Sequence, residues 1–215
     1  MSDLAVVMIP NGQMVQNCYL LADPAANQAV MVDPGEEAGR ILAELEARGW
    51  DLTAIWLTHA HIDHILGVGP VKRGRGVPIL LHPADRPLYD ALPSQGEWFG
   101  MSVPPAPPPD QPLEDGQELR VGTHRFTVRH TPGHSPGSVS FLGPNLVLGG
   151  DVLFNGSIGR TDLPGGSLAT LLHSIQTVFL PLADSTVIWA GHGSETTVGV
   201  ERETNPFLTG VYPLG

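Results

Sequence analysis

The sequence predicts an α/β protein built as a four-layer αββα sandwich: two mixed sheets packed face to face, with helices on both outer faces. The prediction rests on the order of patterns along the chain. Short apolar runs bounded by Gly, Pro, Asn and Asp recur in both halves, and each half carries one long helical periodicity, at 36–48 and at 167–179. Each half therefore supplies strands and a helix. Both bury their apolar surface by packing sheet on sheet and covering the outsides with helices. At 215 residues this fits one domain spanning 1–215, interrupted by a proline-rich loop at about 83–112.

In the first half, strands are predicted at 4–9, 17–21, 29–32 and 52–57, with Asn11-Gly12 as the first turn. Asp33-Pro34-Gly35 closes the third strand. The helix at 36–48 carries Ala38, Ile41, Leu42 and Leu45 at helical spacing, acidic residues in its first turn, and Gly49 as its stop. Beyond a histidine-rich stretch, 65–71 begins as a short helix, and Lys72 to Gly76 is predicted to be a basic turn. Residues 77–81 form a short strand, which Pro78 assigns to an edge or to late entry into pairing. The stretch 83–112 is predicted to be a crossing loop or lid. Its Trp98, Phe99 and Met101 are expected to pin it to the body in preference to walling a substrate. The second half has predicted strands at 118–121, 124–128, 138–142, 146–148 and 186–190. Its helix starts at Ser167 as N-cap and presents Leu168, Leu171, Leu172, Ile175, Val178 and Phe179 on one face.

Charge narrows the function classes. With 11 Lys plus Arg against 22 Asp plus Glu, the net charge of -11 argues against a broad cationic surface for nucleic acid or anionic membrane. The single cysteine, Cys18, excludes an internal disulfide framework and a multi-thiolate zinc site, and is expected to be buried in a strand. The start of the chain lacks the basic and apolar regions of a signal peptide, and no apolar run approaches about 18 residues. A cytoplasmic protein is expected.

The chemistry concentrates in Thr58-His59-Ala60-His61-Ile62-Asp63-His64, at the end of the run 52–57. Imidazoles and a carboxylate at this density suit a divalent transition metal. One strand is expected to deliver them all, with His59 and His61 sharing side-chain parity. Asp63 and His64 are adjacent and diverge, which fits one cluster serving two neighbouring metal positions. His134, Asp151 and His192 lie farther on, each after an apolar run that ends in small residues or a tight Gly-Pro loop. His82, His124, His130 and His173 have no such setting. His130 lies near enough to orient a ligand without touching metal, and Asp33 is read either in that role or as the N-cap of the helix that follows it.

With these residues in place, the chain resembles the metallo-beta-lactamase superfamily over nearly its whole length. His59, His61, Asp63 and His64 form its first motif unbroken, and His134, Asp151 and His192 match the remaining positions in order. The chain is most similar to the glyoxalase II-like hydrolases of the short bacterial branch. That similarity lies in Gly-Ser-Ile-Gly-Arg-Thr-Asp-Leu-Pro-Gly-Gly at 156–166 and Glu-Arg-Glu-Thr-Asn-Pro-Phe-Leu at 201–208. The resemblance implies a dinuclear metal-dependent hydrolase acting on small acyl thioesters such as S-lactoylglutathione. It assigns His59, His61 and His134 to one ion, Asp63, His64 and His192 to a second, and Asp151 to a bridge. Zinc is the first choice, with Fe or Mn as alternatives. Asp63 additionally orients the attacking hydroxide. Arg160 matches a basic substrate-holding residue and is equally placed to pair with Asp162. The C-terminal helical segment that carries part of the glutathione surface in full-length glyoxalase II has no counterpart before Gly215, which predicts weak saturation. Two other readings use the same scaffold: a mononuclear Fe(II) persulfide dioxygenase-like enzyme, which leaves the second ligand set idle, and a catalytically weak binding protein. RNA processing and beta-lactam hydrolysis fit the charge and the start of the chain less well.

Overall fold

The computed structural model describes residues 3–210 and gathers the strands into two six-stranded mixed sheets and a small hairpin. The first sheet runs in chain order through β1 (Ala5–Asn11), β2 (Gln16–Asp23), β3 (Gln28–Val32), β4 (Asp51–Trp56), β5 (Ile79–Leu81) and β6 (Gln111–Pro112). The first three strands pair antiparallel, and pairing is parallel from β3 onward. Parallel neighbours need crossover connections, and helices provide them. They are α1 (Ala38–Arg48) before β4, α2 (Ile62–Ile65) and α3 (Val68–Arg75) before β5, then α4 (Arg86–Asp90) and α5 (Leu92–Trp98) before β6. The second half contributes β7 (Glu118–Val121), β8 (His124–His130), β9 (Val139–Gly143) and β10 (Leu146–Gly150). The hairpin β11 (Leu153–Phe154) and β12 (Ser157–Ile158) follows, then α6 (Leu168–Ser174), β13 (Val187–Ala190), β14 (Thr196–Thr197) and α7 (Val198–Thr204). The second sheet has the order β14-β13-β10-β9-β8-β7.

The strand period of two sorts neighbouring residues into different layers. On β2 and β3, Leu21 and Val32 enter the core between the sheets, facing Phe126, Val128, Phe141 and Leu148 of the second sheet. Their neighbours Leu20 and Met31 face outward, onto Ile41 and Leu45 of α1 and Val68 and Val71 of α3. Val147 and Ile188 of the second sheet point to the other outside, against Leu171, Ile175, Phe179 and Val198. Helix, sheet, sheet, helix is thus the order of layers, as predicted. Cys18 is buried on β2 in the first outer core.

Several elements differ from their sequence reading. Helix α1 starts at Ala38, without acidic residues in its first turn, because Glu36 is used elsewhere: its carboxylate accepts from the Gln13 amide at 3.0 Å. Gly49 ends it as expected, in the left-handed conformation. Lys72 to Arg75 is the last turn of α3 rather than a free basic turn. Its cations sit at the negative end of the helix, where Lys72 pairs with Asp110 and Arg75 with Glu46. β5 is not an edge strand, since Pro78 precedes it and β6 pairs along its other side. The stretch 83–112 contains α4, α5 and β6, because Pro87 and Pro93 occupy first-turn positions, where a missing N–H costs nothing. Only its later portion is irregular, and Tyr89 Oη anchors that portion through the Pro107 carbonyl at 2.7 Å. The helix begun at Ser167, whose hydroxyl accepts from the Thr170 amide, passes into a π-helical turn over Ile175–Phe179.

Trp56 is the hinge between this framework and the site that follows it. Its ring, 2% exposed, lies 5.6 Å from Phe126 and 5.1 Å from Phe141, centroid to centroid, across the two sheets. Trp56→Ala is expected to cost about 3–5 kcal/mol of unfolding free energy in a denaturant titration, and a loss under about 1 kcal/mol would contradict this role for the ring.

Candidate metal centre

β4 stops at Trp56, and the chain leaves the sheet carrying its donors on a loop and a helical turn. His59 and His61 belong to the loop, while Asp63 and His64 lie on α2. One extended strand does not deliver them, contrary to the sequence expectation: neighbours on a helical turn diverge by about 100° instead of the roughly 180° of a strand, so Asp63 and His64 reach the same triad. The loop is fixed by Asp33, which adopts a left-handed backbone (φ 52°) that aspartate tolerates. Its carboxylate accepts from the Thr58 amide at 2.7 Å and the Thr58 hydroxyl at 2.6 Å, and pairs with His64 Nδ1 at 2.9 Å.

The second sheet brings the other donors from its strand ends. His134 follows β8 in the loop 131–137, and Asp151 follows β10 through Gly150. Gly150 has φ 52°, and a Cβ there would lie 2.5 Å from the Thr58 hydroxyl. His192 follows β13 through Gly191, where a Cβ would lie 2.0 Å from Asp151 Oδ1. Small residues are required at both places because the two sheets' loops interpenetrate. The start of β2 clamps the His192 loop: the Asn17 amide donates to the Gly191 carbonyl at 2.7 Å, and Asn17 Nδ2 donates to the Gly193 carbonyl at 2.8 Å.

Two triads result. His59, His61 and His134 bring one nitrogen each into a common space, with His134 Nε2 lying 2.7 Å from His61 Nδ1 and 3.2 Å from His59 Nε2. Asp63, His64 and His192 form the second, with His192 Nε2 at 3.1 Å from Asp63 Oδ2. Asp151 faces both: Oδ2 is 3.5 Å from His134 Nε2, and Oδ1 is 3.4 Å from His64 Nε2. A grouping of Asp33, His59 and His64 is also compact, but Asp33 already receives three donors and meets His64 on its outer nitrogen.

The outer nitrogens decide where the lone pairs point. His134 Nδ1 donates to the Arg160 carbonyl at 2.8 Å and His64 Nδ1 pairs with Asp33, so both rings turn Nε2 inward. His64 Nε2 and Asp151 Oδ1 are buried with no hydrogen-bond partner. Burial and the neighbouring imidazoles hold His59 far below the usual histidine range and push His61 down to about 4. Burial opposes charge on Asp151 and Asp63 as well, yet His64 outweighs it and keeps both carboxyls below their usual range. His64 itself is raised, because Asp151 and Asp63 overcome its desolvation. His59 and His61, held neutral, and the ionised carboxylates suit a divalent cation, which would displace the protons that the raised His64 and His192 hold, so the residues fit the expected metals.

The supporting layer includes residues that the sequence reading missed. Asp85 is fully buried and accepts from the Ala60 amide at 2.9 Å, the Ser135 hydroxyl at 2.7 Å and the Gly137 amide at 2.5 Å, tying the His61 and His134 loops together. Gln95 accepts from the Ile62 amide at 2.9 Å and donates to the Ala60 carbonyl at 3.0 Å. The peptide groups flanking Ala60, between the two histidines, are therefore held on both sides. Buried Gln16 and Asn17 at the head of an apolar strand were a legible signal; Asp85 and Gln95 sit in proline-bounded helical turns without one. His130 contacts the His134 loop only at its backbone, pairing with the Pro136 carbonyl at 2.9 Å, and its ring stacks on His82. Arg160 and Asp162 pair through two 2.7 Å bonds at the exposed rim.

A cavity of about 240 Å³ opens over the cluster, reaching His61, Asp63, His134, Asp151 and His192. Trp98 and Phe99 line it while 65% and 55% exposed, so they do not pin their segment to the body; Met101, packed on the first outer core, does.

Known proteins resemble the chain over nearly its whole length. The chain is 40% identical over 207 residues to the hydroxyacylglutathione hydrolase GloC of Haemophilus influenzae, covering 94% of this chain and 97% of that protein. Among solved structures it is similar to the B3 metallo-beta-lactamase BLEG-1, at 41% identity and a TM-score of 0.90 over 96% of this chain and 100% of that one. It is also similar to TTHA1623 in a di-iron-bound form, at 40% identity and a TM-score of 0.85 over 94% and 100% of the respective chains. The sequence profile of the metallo-beta-lactamase superfamily matches residues 11–192, and the chain belongs to that superfamily.

Proposed function

We propose that this superfamily member is a cytoplasmic dinuclear metal-dependent hydrolase of small acyl thioesters, of which S-lactoylglutathione is an example. The observation that carries the reading is the pair of triads with Asp151 facing both. His59, His61 and His134 would hold one ion, Asp63, His64 and His192 the other, and Asp151 would lie between them. Zinc is the first candidate for this nitrogen and oxygen set, with iron or manganese as alternatives. When bound, the ions would lower the pKa of a shared water and polarise the substrate carbonyl.

The chain's own residues supply position and proton handling. Asp63 lines the cavity and shares one carboxylate oxygen with His192. Its other oxygen accepts a hydrogen bond from the attacking water and sets its direction toward the carbonyl carbon. Asp33 and the Arg160 carbonyl hold His64 and His134 in the tautomers the site needs. The Arg160 guanidinium is the candidate substrate contact at the rim, and it reaches a polar group of the substrate only by giving up its Asp162 partner. No serine or cysteine nucleophile is required.

The name of BLEG-1 favours a second reading, beta-lactam hydrolysis, in which the same water would attack a strained amide carbonyl. A third, single-iron persulfide oxidation, leaves the second triad without a role. One side-by-side assay separates them. Metal-loaded protein is expected to hydrolyse S-lactoylglutathione with weak saturation and to consume no oxygen with glutathione persulfide. Beta-lactam turnover without thioester hydrolysis, or oxygen-coupled persulfide turnover, would replace this reading.

Asp63→Asn is expected to lower kcat for the thioester by roughly 10²-fold or more, in the range of lost acid–base or electrostatic assistance. Unchanged kcat at full metal occupancy would remove Asp63 from the chemistry.

A further inference from the structure

The wall of the cavity away from its donors is apolar. Met14, Ile62, Leu88, Trp98, Phe99 and Leu163 supply it. Trp98 and Phe99 are among the few large apolar side chains that the described residues leave exposed, and they lie side by side at the mouth of the candidate site. Paired exposed aromatics contribute little to folding, and their cost in water is offset only when something covers them.

Their position relative to the reacting centre is fixed. Trp98 is the last residue of α5, whose Gln95 bonds the Ile62 amide and the Ala60 carbonyl of the donor loop. Beyond it, the Phe99 and Met101 amides both donate to the Gly96 carbonyl, at 2.9 Å each, which closes the turn bearing Phe99. Hydrogen bonds thus tie the helix that carries the rim to the histidine loop.

Charge points the same way. Arg160 is the one Lys or Arg among the described lining residues, and Asp162 already engages it through two 2.7 Å bonds. The site otherwise presents Asp63 and Asp151, within a chain of net charge -11. The ions that Asp63 and Asp151 would hold offset those carboxylates, so a thiol carrying two carboxylates would find no Lys or Arg on the lining except the pre-engaged Arg160. Size agrees too: the ions would fill part of the 240 Å³, and a tripeptide must extend outside what remains.

From these observations we infer that the site is shaped for uncharged thioesters with apolar substituents, with Trp98 and Phe99 as specificity-determining residues, and that thioesters of anionic peptide thiols such as glutathione are poorer substrates. The inference rests on the thioester-hydrolase reading and names the substrate class of that site.

The test compares one acyl group on two thiols. Zinc-loaded protein is assayed with S-phenylacetyl-N-acetylcysteamine and with S-phenylacetylglutathione. Calorimetry measures binding of the non-hydrolysable thioethers S-benzyl-N-acetylcysteamine and S-benzylglutathione. The neutral compound is expected to lead by roughly tenfold or more in kcat/KM, and the neutral thioether by a similar factor in Kd. Trp98→Ala/Phe99→Ala should raise KM and Kd for the neutral compounds roughly tenfold, with kcat changed less than about threefold, since the rim binds without touching the reacting atoms. Equal or better turnover and binding of the glutathione compounds would overturn the inference and leave the hydrolase reading intact. So would a double variant whose KM and Kd match those of the parent. If neither thioester is hydrolysed, the hydrolase reading fails, and the thioether Kd values still decide the ligand class: rim-dependent preference for the neutral compound supports it, and preference for S-benzylglutathione overturns it.

Discussion

Imidazole nitrogens and carboxylate oxygens converge in a buried space where the loops of two sheets meet, and a layer of buried polar residues holds them there. Three imidazole nitrogens crowd one point, while His64 Nε2 and Asp151 Oδ1 are left without hydrogen-bond partners beside it. Buried polar atoms left in this way are costly, and no protein group reaches either of them with hydrogen-bond geometry. A cation can. An ion held there would couple metal binding to stability, since an ion that binds only the folded chain stabilises it by mass action.

Holding the donors in place falls to a second layer of polar residues drawn from both sheets. Asp33 at the end of β3 fixes Thr58 and His64, Asp85 joins the His61 loop to the His134 loop, and Asn17 on β2 clamps the His192 loop from the opposite sheet. Each is buried, and each satisfies backbone groups that would otherwise be orphaned. The sandwich and the site are thus one assembly: the inter-sheet core built on Trp56, Phe126 and Phe141 sets the spacing at which β4, β10 and β13 can present their loops to one another.

Much of this was legible in the sequence because it depends on local pattern. Short apolar runs at 17–21 and 29–32 located two strands, and helical spacing at Ile41 and Leu45 assigned a buried face. The metal-capable residues His134, Asp151 and His192 stood out because they follow strand ends, and the structure brings all three to the His59–His64 stretch. What was missed depends on partners far apart in sequence. Asp85 carries no local mark, because its worth comes from Ala60 and from Ser135 and Gly137, 25 to 52 residues away. Prolines at 83–112 read as helix-excluding, although Pro87 and Pro93 open helices. Trp98 and Phe99 looked like anchors, since hydrophobicity alone does not distinguish an aromatic that packs inward from one that rims a cavity.

The central claim is that the two triads form one dinuclear site. Elemental analysis of metal-replete protein, run beside His192→Ala, tests it most directly. The account predicts about two transition-metal ions per chain in the parent and about one in the variant, the first triad remaining filled. A single tightly bound ion in the parent, with the same content after His192→Ala, would contradict it.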